Sequence, residues 1–332
     1  MPLAISYGEI KMPDALLEIK NLVREFKVGG ILFGIKFKAV ENVNLLFERE
    51  KPKILTIAGE SGSGKTTLIK IILGLVKPTK GKVLYRNKDI FTLKGEDKKI
   101  FMKNIQPIFQ NPYESFNPLK KIDRYLMDTA INYKVARNRE EATKVVSKVL
   151  ETVSLGFEEI KEKYPHEISG GQLQRASIGR ALITNPNLLI ADEPVSMIDA
   201  SLRINILNIF LELKKMKTSV LYVTHDLATA SYISDEIAIM IRGNIVEKGY
   251  TSDVLSNPLH PYTKMLVECI PKPDPRKRWK EQIKLSSLEI KEFGILGCKF
   301  ADRCPNSNEN CFKKSPPEMI VNGHAVKCWI YK

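Results

Sequence analysis

An eight-residue glycine-rich segment constrains the fold of this chain more than any other feature. It reads Gly59-Glu60-Ser61-Gly62-Ser63-Gly64-Lys65-Thr66, follows an apolar stretch at 53–58 and opens a second one at 65–75. A glycine-rich loop of this kind between a strand and a helix is typical of a phosphate-binding loop. Its backbone N–H groups face phosphate oxygens. Lys65 is then expected to reach the β- and γ-phosphates, and Thr66 to ligate Mg²⁺. The alternative is a flexible Gly/Ser linker, and the flanking strand and helix favour the phosphate loop.

A second segment ends an apolar strand with two carboxylates. It reads Leu188-Leu189-Ile190-Ala191-Asp192-Glu193-Pro194. Hydrolysis of a phosphoanhydride needs a carboxylate on Mg²⁺, for which Asp192 is the candidate, and a base for water, for which Glu193 is the candidate. Alone, a strand that ends in Asp-Glu-Pro is more often a simple turn. The phosphate loop upstream favours the functional interpretation.

A third segment, Ile168-Ser169-Gly170-Gly171-Gln172, discriminates among proteins with phosphate loops. It also fits a capping box, in which Ser169 and Gln172 bond reciprocally at a helix start. Both interpretations hold together, because a capped helix N-terminus also binds anions. The order of the three segments resembles the ATP-binding cassette (ABC) proteins, whose signature is usually Leu-Ser-Gly-Gly-Gln. Only Ile168 departs from that signature.

The resemblance implies roles for further residues. Gln110 resembles the Q-loop glutamine that senses Mg²⁺ and the attacking water, and His225 resembles the switch histidine that contacts the γ-phosphate. Ser196-Met197-Ile198-Asp199 resembles the D-loop. Phe26 resembles the aromatic residue that stacks on adenine, with Phe33 as a competitor.

The site residues that the resemblance implies form three groups. The ATP contacts are Phe26, Gly59, Ser61, Gly62, Gly64, Lys65, Thr66, Thr67, Ser169, Gly171, Gln172 and Asp199. The catalytic residues are Glu193, His225 and Gln110, and the Mg²⁺ ligands are Thr66, Gln110 and Asp192. In this family two cassettes pack head to tail, so that Ser169 and Gly171 contact the γ-phosphate bound by the other subunit. ATPase activity is then expected to depend on dimerisation, with a sister subunit or with a second copy.

The chain of 332 residues is predicted to contain one large domain and an appendage. We predict a leader at 1–15, an α/β ABC ATPase domain at 16–255 and a C-terminal extension at 256–332. The resemblance implies a P-loop NTPase of the ABC type, with a RecA-like core and an antiparallel β subdomain, predicted as strands joined through Gly29-Gly30. Helical periodicity predicts an inserted helical subdomain at about 111–165. Proline-rich sequence at 257–275 marks the start of the extension.

Two further segments resemble the ATPases of oligopeptide/dipeptide importers. These are residues 109–118 around the Q-loop and Asn257-Pro258-Leu259-His260-Pro261-Tyr262-Thr263. No secretory signal and no run of about 18 apolar residues is present, so we expect a peripheral subunit on the cytoplasmic face of the membrane. The resemblance implies separate permease subunits and an extracytoplasmic solute-binding protein. The solute is expected to be a peptide, although related systems carry oligosaccharides or nickel.

Four of the five cysteines lie near the C-terminus with the spacing C-x5-C-x6-C-x16-C: Cys298, Cys304, Cys311 and Cys328. In a cytoplasmic chain such clustering favours a metal site over disulfides. Four thiolates suit an Fe–S cluster or Zn²⁺, and some members of the resembled family carry a [4Fe–4S] cluster here, which is our expectation. Plain reduced thiols are the other alternative. His324 is a minor candidate ligand, and Cys269 is expected to be a small core residue.

The formal net charge of +14 suits a polyanionic partner without choosing one. The only dense basic cluster lies at 276–280. A nucleic-acid-associated ABC ATPase with a zinc-binding tail is therefore the competing hypothesis. Charge without a recognition motif is weak support for it, and the sequence favours an importer subunit without a nucleic-acid partner.

Overall fold

The computed structural model describes residues 14–28, 35–270 and 289–332. Most of the predicted leader lies outside the described residues, and Ala15 already begins a strand. The predicted turn at Gly29-Gly30, the competing Phe33 and the basic cluster at 276–280 also lie outside them.

The main sheet of the described chain has eight strands, and its central strands are parallel. In spatial order these are β11 (Met319–Val321), β12 (His324–Val326), β10 (Asn244–Tyr250), β9 (Glu236–Ile241), β3 (Ile54–Ala58), β8 (Ser219–Thr224), β7 (Leu188–Asp192) and β6 (Ile105–Ile108). Every residue of β3, β7 and β8 is buried. Such continuous apolar runs are typical of parallel strands that are covered on both faces.

A second, antiparallel sheet lies beside the main one. Its spatial order is β2 (Ile35–Glu48), β1 (Ala15–Val28), β4 (Lys80–Tyr85) and β5 (Lys88–Asp89). Leu17 pairs with both Phe47 and Tyr85, and these side chains are buried in one core with strands of the main sheet. The predicted antiparallel subdomain is therefore present.

Twelve α-helices connect and cover the sheets in the described residues. They are α1 (Lys65–Ile72), α2 (Gly95–Asn104), α3 (Ile122–Asn132), α4 (Arg139–Thr152), α5 (Phe157–Ile160), α6 (Gly170–Leu182), α7 (Ala200–Lys215), α8 (Leu227–Ile233), α9 (Thr251–Ser256), α10 (Pro261–Glu268), α11 (Glu289–Gly294) and α12 (Glu309–Lys313). Helix α1 ends three residues before the predicted end, because Gly74 adopts a left-handed φ of 74° that stops a helix. Helices α3 to α5 lie within the predicted insertion, whose exact bounds stay a prediction.

The C-terminal extension is joined to the main sheet. Strand β12 pairs antiparallel with β10, with Glu247 opposite Val326 and Lys248 opposite Ala325. The buried Glu247 carboxylate accepts hydrogen bonds from the backbone N–H groups of Leu259 and His260, both at 2.9 Å. The start of the extension is thus hydrogen-bonded to β10, the strand with which β12 pairs.

Candidate active site

The topology brings the segments of the candidate site to one edge of the main sheet. Because β3, β6, β7 and β8 are mutually parallel, their carboxyl ends meet at that edge. The glycine loop follows β3, Gln110 follows β6, Asp192 ends β7 and His225 follows β8. In parallel α/β sheets this edge is where ligands bind.

The glycine loop can follow its path only with glycine at two positions. Gly64 precedes α1 with a φ of 104°, and a Cβ atom there would lie 2.1 Å from the carbonyl oxygen of Ala39. A Cβ atom at Gly59 would lie 2.1 Å from the carbonyl oxygen of Met240. Both contacts are with backbone, which cannot yield like a flexible side chain. The loop is therefore packed closely against the backbones of β2 and β9.

Lys65 is buried inside this loop. Its Nζ donates hydrogen bonds to the carbonyl oxygens of Gly59 at 2.6 Å and Glu60 at 2.7 Å, and lies 3.2 Å from Ser63 Oγ. Burial lowers the pKa of Lys65, and the negative charges of Glu193, Asp192 and Glu60 act in the opposite direction. A cation at this position is suited to bind an anionic phosphate.

Thr66 and Asp192 form a pair of oxygen donors beside Lys65. Thr66 Oγ1 donates to Asp192 Oδ2 at 3.2 Å. Burial raises the pKa of Asp192 to about 6, so its ionised form would be stabilised by a nearby cation. Mg²⁺ is commonly held by one or two protein oxygens together with substrate phosphates, and this donor set fits that ion.

Glu193 is held between two side chains from neighbouring strand ends. Gln110 Nε2 donates to Glu193 Oε2 at 2.9 Å, and His225 Nδ1 lies 2.9 Å from Glu193 Oε1. Because an ionised carboxylate only accepts, this contact assigns the proton of His225 to Nδ1. The Glu193 backbone has a positive φ of 44° and is anchored by a hydrogen bond from its N–H to the Val223 carbonyl. The sequence-predicted catalytic residues are therefore in direct contact.

The signature segment forms the predicted capping box. Gln172 N–H donates to Ser169 Oγ at 3.2 Å, and Ser169 N–H donates to Gln172 Oε1 at 3.1 Å. Ser169 is exposed, and a Cβ atom at Gly170 would meet nothing within 4 Å. Asp199 is also exposed, at the start of α7, and its side chain makes no capping hydrogen bond there. These motifs lie on an open surface of the chain.

Phe26 lies on β1 in an aromatic and basic environment. Its ring centroid lies 5.9 Å from that of Phe37, and the Arg24 guanidinium lies 4.6 Å from its centroid. Phe26 is partly buried, so one part of the ring stays accessible. This geometry is compatible with stacking on a base, which stays a prediction.

The four cysteines of the extension line one small cavity: Cys298, Cys304, Cys311 and Cys328. His260 also lines it and was missed by the sequence analysis, although a histidine next to Pro261 at the start of the extension was a usable signal. His260 Nδ1 accepts the Tyr262 backbone N–H at 3.0 Å, and His260 Nε2 lies 3.7 Å from Cys298 Sγ. Burial lowers the pKa of His260 to about 3 and raises that of Cys298 to about 12. The neutral imidazole thus directs its Nε2–H at the sulfur.

One prediction about the extension has no support in the described residues, and another is wrong. Among the described residues, no three or more His, Cys, Asp or Glu side chains lie close enough to hold one metal ion, so the predicted metal-binding group is not supported. His324 is not a candidate ligand, because its Nδ1 lies 3.2 Å from Glu247 Oε1 in a buried pair that is not part of the cavity. Cys269 ends α10 as a partly buried free thiol.

The fold and the residues at its sheet edge define a P-loop nucleoside triphosphatase. A family model described as ABC transporter matches residues 40–196, and one described as oligopeptide/dipeptide transporter, C-terminal region matches residues 246–311. The chain belongs to the ATP-binding proteins of the oligopeptide/dipeptide ABC transporter family, as its nearly full-length relatives show. It is accordingly an ABC-type ATPase, and the predicted fold class is confirmed.

Two relatives illustrate the similarity. The dipeptide transport ATP-binding protein DppF of Haemophilus influenzae is 37% identical over 97% of this chain and 98% of its own length. The oligopeptide transport ATP-binding protein OppF of Salmonella typhimurium is 38% identical over 96% of this chain and 97% of its own length.

Solved structures share the cassette. The dimeric post-hydrolysis state of the ATP-binding cassette MJ0796 bound to ADP and Pi has a TM-score of 0.63 and 29% identity, and it covers 71% of this chain and 98% of that chain. The part of this chain that the structure describes contains no helix that is both long and apolar enough to cross a membrane.

Proposed function

We propose that this chain is the energy-coupling subunit of an ABC importer for oligopeptides or dipeptides. ATP binding closes a dimer of cassettes, helices α3 to α5 transmit the closure to separate permease subunits, and hydrolysis reopens the dimer. ATP hydrolysis is supported above all by the Glu193 carboxylate, which lies beside the phosphate loop and is in hydrogen-bond contact with Gln110 and His225. The peptide part is supported by the relatives named for dipeptide and oligopeptide transport along nearly their whole length.

In this proposal each side chain at the sheet edge has one role. Lys65 binds the β- and γ-phosphates, assisted by backbone N–H groups of Gly59, Ser61, Gly62, Gly64, Thr66 and Thr67. Glu193 accepts a proton from the attacking water, Gln110 orients that water, and His225 contacts the γ-phosphate. Thr66, Asp192 and Gln110 would hold Mg²⁺, which neutralises charge on the phosphates when bound.

The second half of each site comes from another subunit in this proposal. Ser169, Gly171, Gln172 and Asp199 act on the nucleotide held by the facing cassette, while Phe26 stacks on the adenine of its own. The support is their position on an open surface, together with the dimeric assembly of the similar cassette. We expect the partner to be a sister ATPase, with a second copy of this chain as the alternative. The assembly would sit on the cytoplasmic face of the membrane, below the permease and its solute-binding protein.

We propose that the four cavity cysteines hold a [4Fe–4S] cluster, with Zn²⁺ as the alternative. The support is that all four thiols line one cavity. Thiolates on one zinc ion lie about 3.8 Å apart, since each Zn–S bond is about 2.3 Å. In a four-iron cluster each thiolate binds its own iron, so the sulfurs are spread more widely. These two ligand arrangements differ, and an assay for iron, sulfide and zinc separates them.

Anaerobic purification is expected to yield about four irons and as many sulfides per chain. Cys304→Ser should lower the iron content, because it removes one of the four ligands. Cys269→Ser is the matched control, since this thiol does not line the cavity, and should keep the parental iron content. Stoichiometric zinc without iron would contradict the cluster.

Reconstituted transport tests the proposed function directly. The chain, its genomic neighbour permeases, the sister ATPase and the solute-binding protein are placed in liposomes with labelled peptides. We expect peptide uptake that requires ATP on the side of the membrane where the cassettes are bound. Uptake should stop when the Asp192→Asn variant replaces the parental chain. ATP hydrolysis that no peptide stimulates, with no uptake, would contradict a peptide importer. The nucleic-acid alternative is not favoured, since the nearly full-length relatives are named for transport.

A further inference from the structure

The C-terminal extension makes direct contact with the phosphate loop through one arginine. Arg303 Nη1 and Nη2 donate to the two carboxylate oxygens of Glu60 at 2.8 and 3.0 Å. The Arg303 side chain is 7% exposed and that of Glu60 is 31% exposed, so solvent only partly screens this pair. A planar guanidinium that binds both oxygens fixes the direction of the carboxylate as well as its position. The second residue of the loop is therefore held by the tail of the chain.

The extension also holds the backbone of the same loop residue. The Glu60 N–H donates to the hydroxyl oxygen of Tyr262 at 2.9 Å, and Tyr262 is completely buried on α10. The Arg303 guanidinium lies 5.1 Å from the ring centroid of Phe300, whose ring in turn packs on Tyr262 at 5.4 Å. Arg303 and Tyr262 thus form one packed unit that touches both the side chain and the main chain of Glu60.

A buried carboxylate orients Arg303 from behind. Glu292 on α11 is completely buried, accepts a hydrogen bond from Arg242 Nε at 2.8 Å, and lies 2.9 Å from Arg303 Nε. This second contact is an ion pair by distance without an aligned hydrogen bond. Arg242 Nη1 in turn lies 3.4 Å from the carbonyl oxygen of Ser61 in the loop. Two arginines joined by the Glu292 carboxylate thus contact two successive residues of the loop, Glu60 and Ser61.

The position of Glu60 affects nucleotide binding because Lys65 is hydrogen-bonded to the Glu60 backbone. Lys65 Nζ donates to the Glu60 carbonyl at 2.7 Å, so the peptide fixed by the extension is also a contact of the phosphate-binding cation. The Glu60 carboxylate is close enough to act electrostatically on Lys65. If Arg303 did not neutralise it, this negative charge would oppose a polyphosphate bound at the loop.

We propose that Arg303 is a positioning residue for ATP binding, which fixes and neutralises Glu60 so that the extension sets the nucleotide affinity of the phosphate loop. The inference rests on the proposed binding of ATP at that loop. Arg303 itself acts only through Glu60 and is distant in sequence from every motif of the site.

Arg303→Gln in the full-length chain is expected to raise the Kd and the KM for ATP about tenfold, which corresponds to the loss of one charge-assisted contact. The kcat should change by less than about twofold, because the contacts of Glu193 are untouched. Arg303→Lys keeps the charge without the two-pronged geometry and should give an intermediate Kd. Lys313→Gln is the matched control, since it removes an exposed positive charge of the extension that pairs with the exposed Glu309. Binding is measured by titration with a fluorescent ATP analogue, and turnover by phosphate release.

A double variant separates this role from a merely structural one. Glu60→Gln combined with Arg303→Gln should bind ATP more tightly than Arg303→Gln alone, because the uncompensated carboxylate is gone. Additive losses, or a parental Kd in Arg303→Gln, would overturn the proposal. If Arg303→Gln fails to fold, Tyr262→Phe and Arg303→Lys replace it, and parental Kd values in both would overturn the proposal equally. A parental chain that binds no ATP would overturn the proposed function as well. If Lys65→Ala weakens ATP binding and the Arg303 variants do not, this inference alone would be overturned.

Discussion

Glu193→Gln is expected to lower the rate of ATP hydrolysis about 10²–10³-fold and to leave ATP binding intact. Glutamine has the shape of glutamate, and its amide oxygen can still accept one of the hydrogen bonds that Gln110 and His225 make to the carboxylate. It cannot take a proton from water at neutral pH. The loss should therefore appear in kcat, measured by phosphate release, while the Kd for ATP stays near the parental value.

The control for this substitution is Glu212→Gln, which neutralises an exposed glutamate on α7 that pairs with Lys215. It should hydrolyse ATP at the parental rate. A Glu193→Gln chain with near-parental turnover would show that the base has been assigned to the wrong residue. A variant that loses ATP binding together with turnover would instead point to a structural role for the carboxylate.

Lys65→Ala is expected to weaken ATP binding about 100-fold, since truncating a buried, hydrogen-bonded charge costs about 2–5 kcal/mol. The lysine amino group is the cation enclosed by the loop, and its present acceptors are the carbonyl oxygens of Gly59 and Glu60. Phosphate oxygens would replace these acceptors with a stronger, charge-assisted contact. Equilibrium titration with ATP and Mg²⁺ measures the effect.

Lys70→Ala is the matched control for Lys65→Ala. Lys70 lies on the same helix, carries the same charge and is exposed. The control should bind ATP like the parent and should have the same midpoint of thermal unfolding. Equal losses in both variants would indicate a general electrostatic effect of the basic chain, and the assignment of Lys65 would then be wrong.

The parts of the site that sequence could predict are those that depend on local order. The glycine loop, the end of β7 and the capping box at Ser169 are each defined within a few residues, because backbone conformation and helix capping are local effects. Parallel strands then bring the segments together at their carboxyl ends without further information. The contacts of Glu193 with Gln110 and His225 follow from that geometry.

The parts that sequence could not predict depend on contacts between distant segments. Glu60 and Arg303 are separated by 243 positions, and nothing in either local sequence indicates the other. His324 was considered as a metal ligand on composition alone, whereas the pairing of β12 with β10 places it against Glu247. His260 lines the cysteine cavity although 38 positions separate it from Cys298, and the local sequence of neither residue indicates the other.

The strand pairing of the extension has a consequence for how small this ATPase can be made. A chain cut after residue 255 would leave one side of β10 without its partner β12, exposing a row of unpaired backbone groups at Glu247 and Lys248. Open edges of this kind join to edges of other molecules and promote aggregation. The shortest soluble form of the cassette should therefore retain β12, even though every nucleotide-binding motif ends well before that strand.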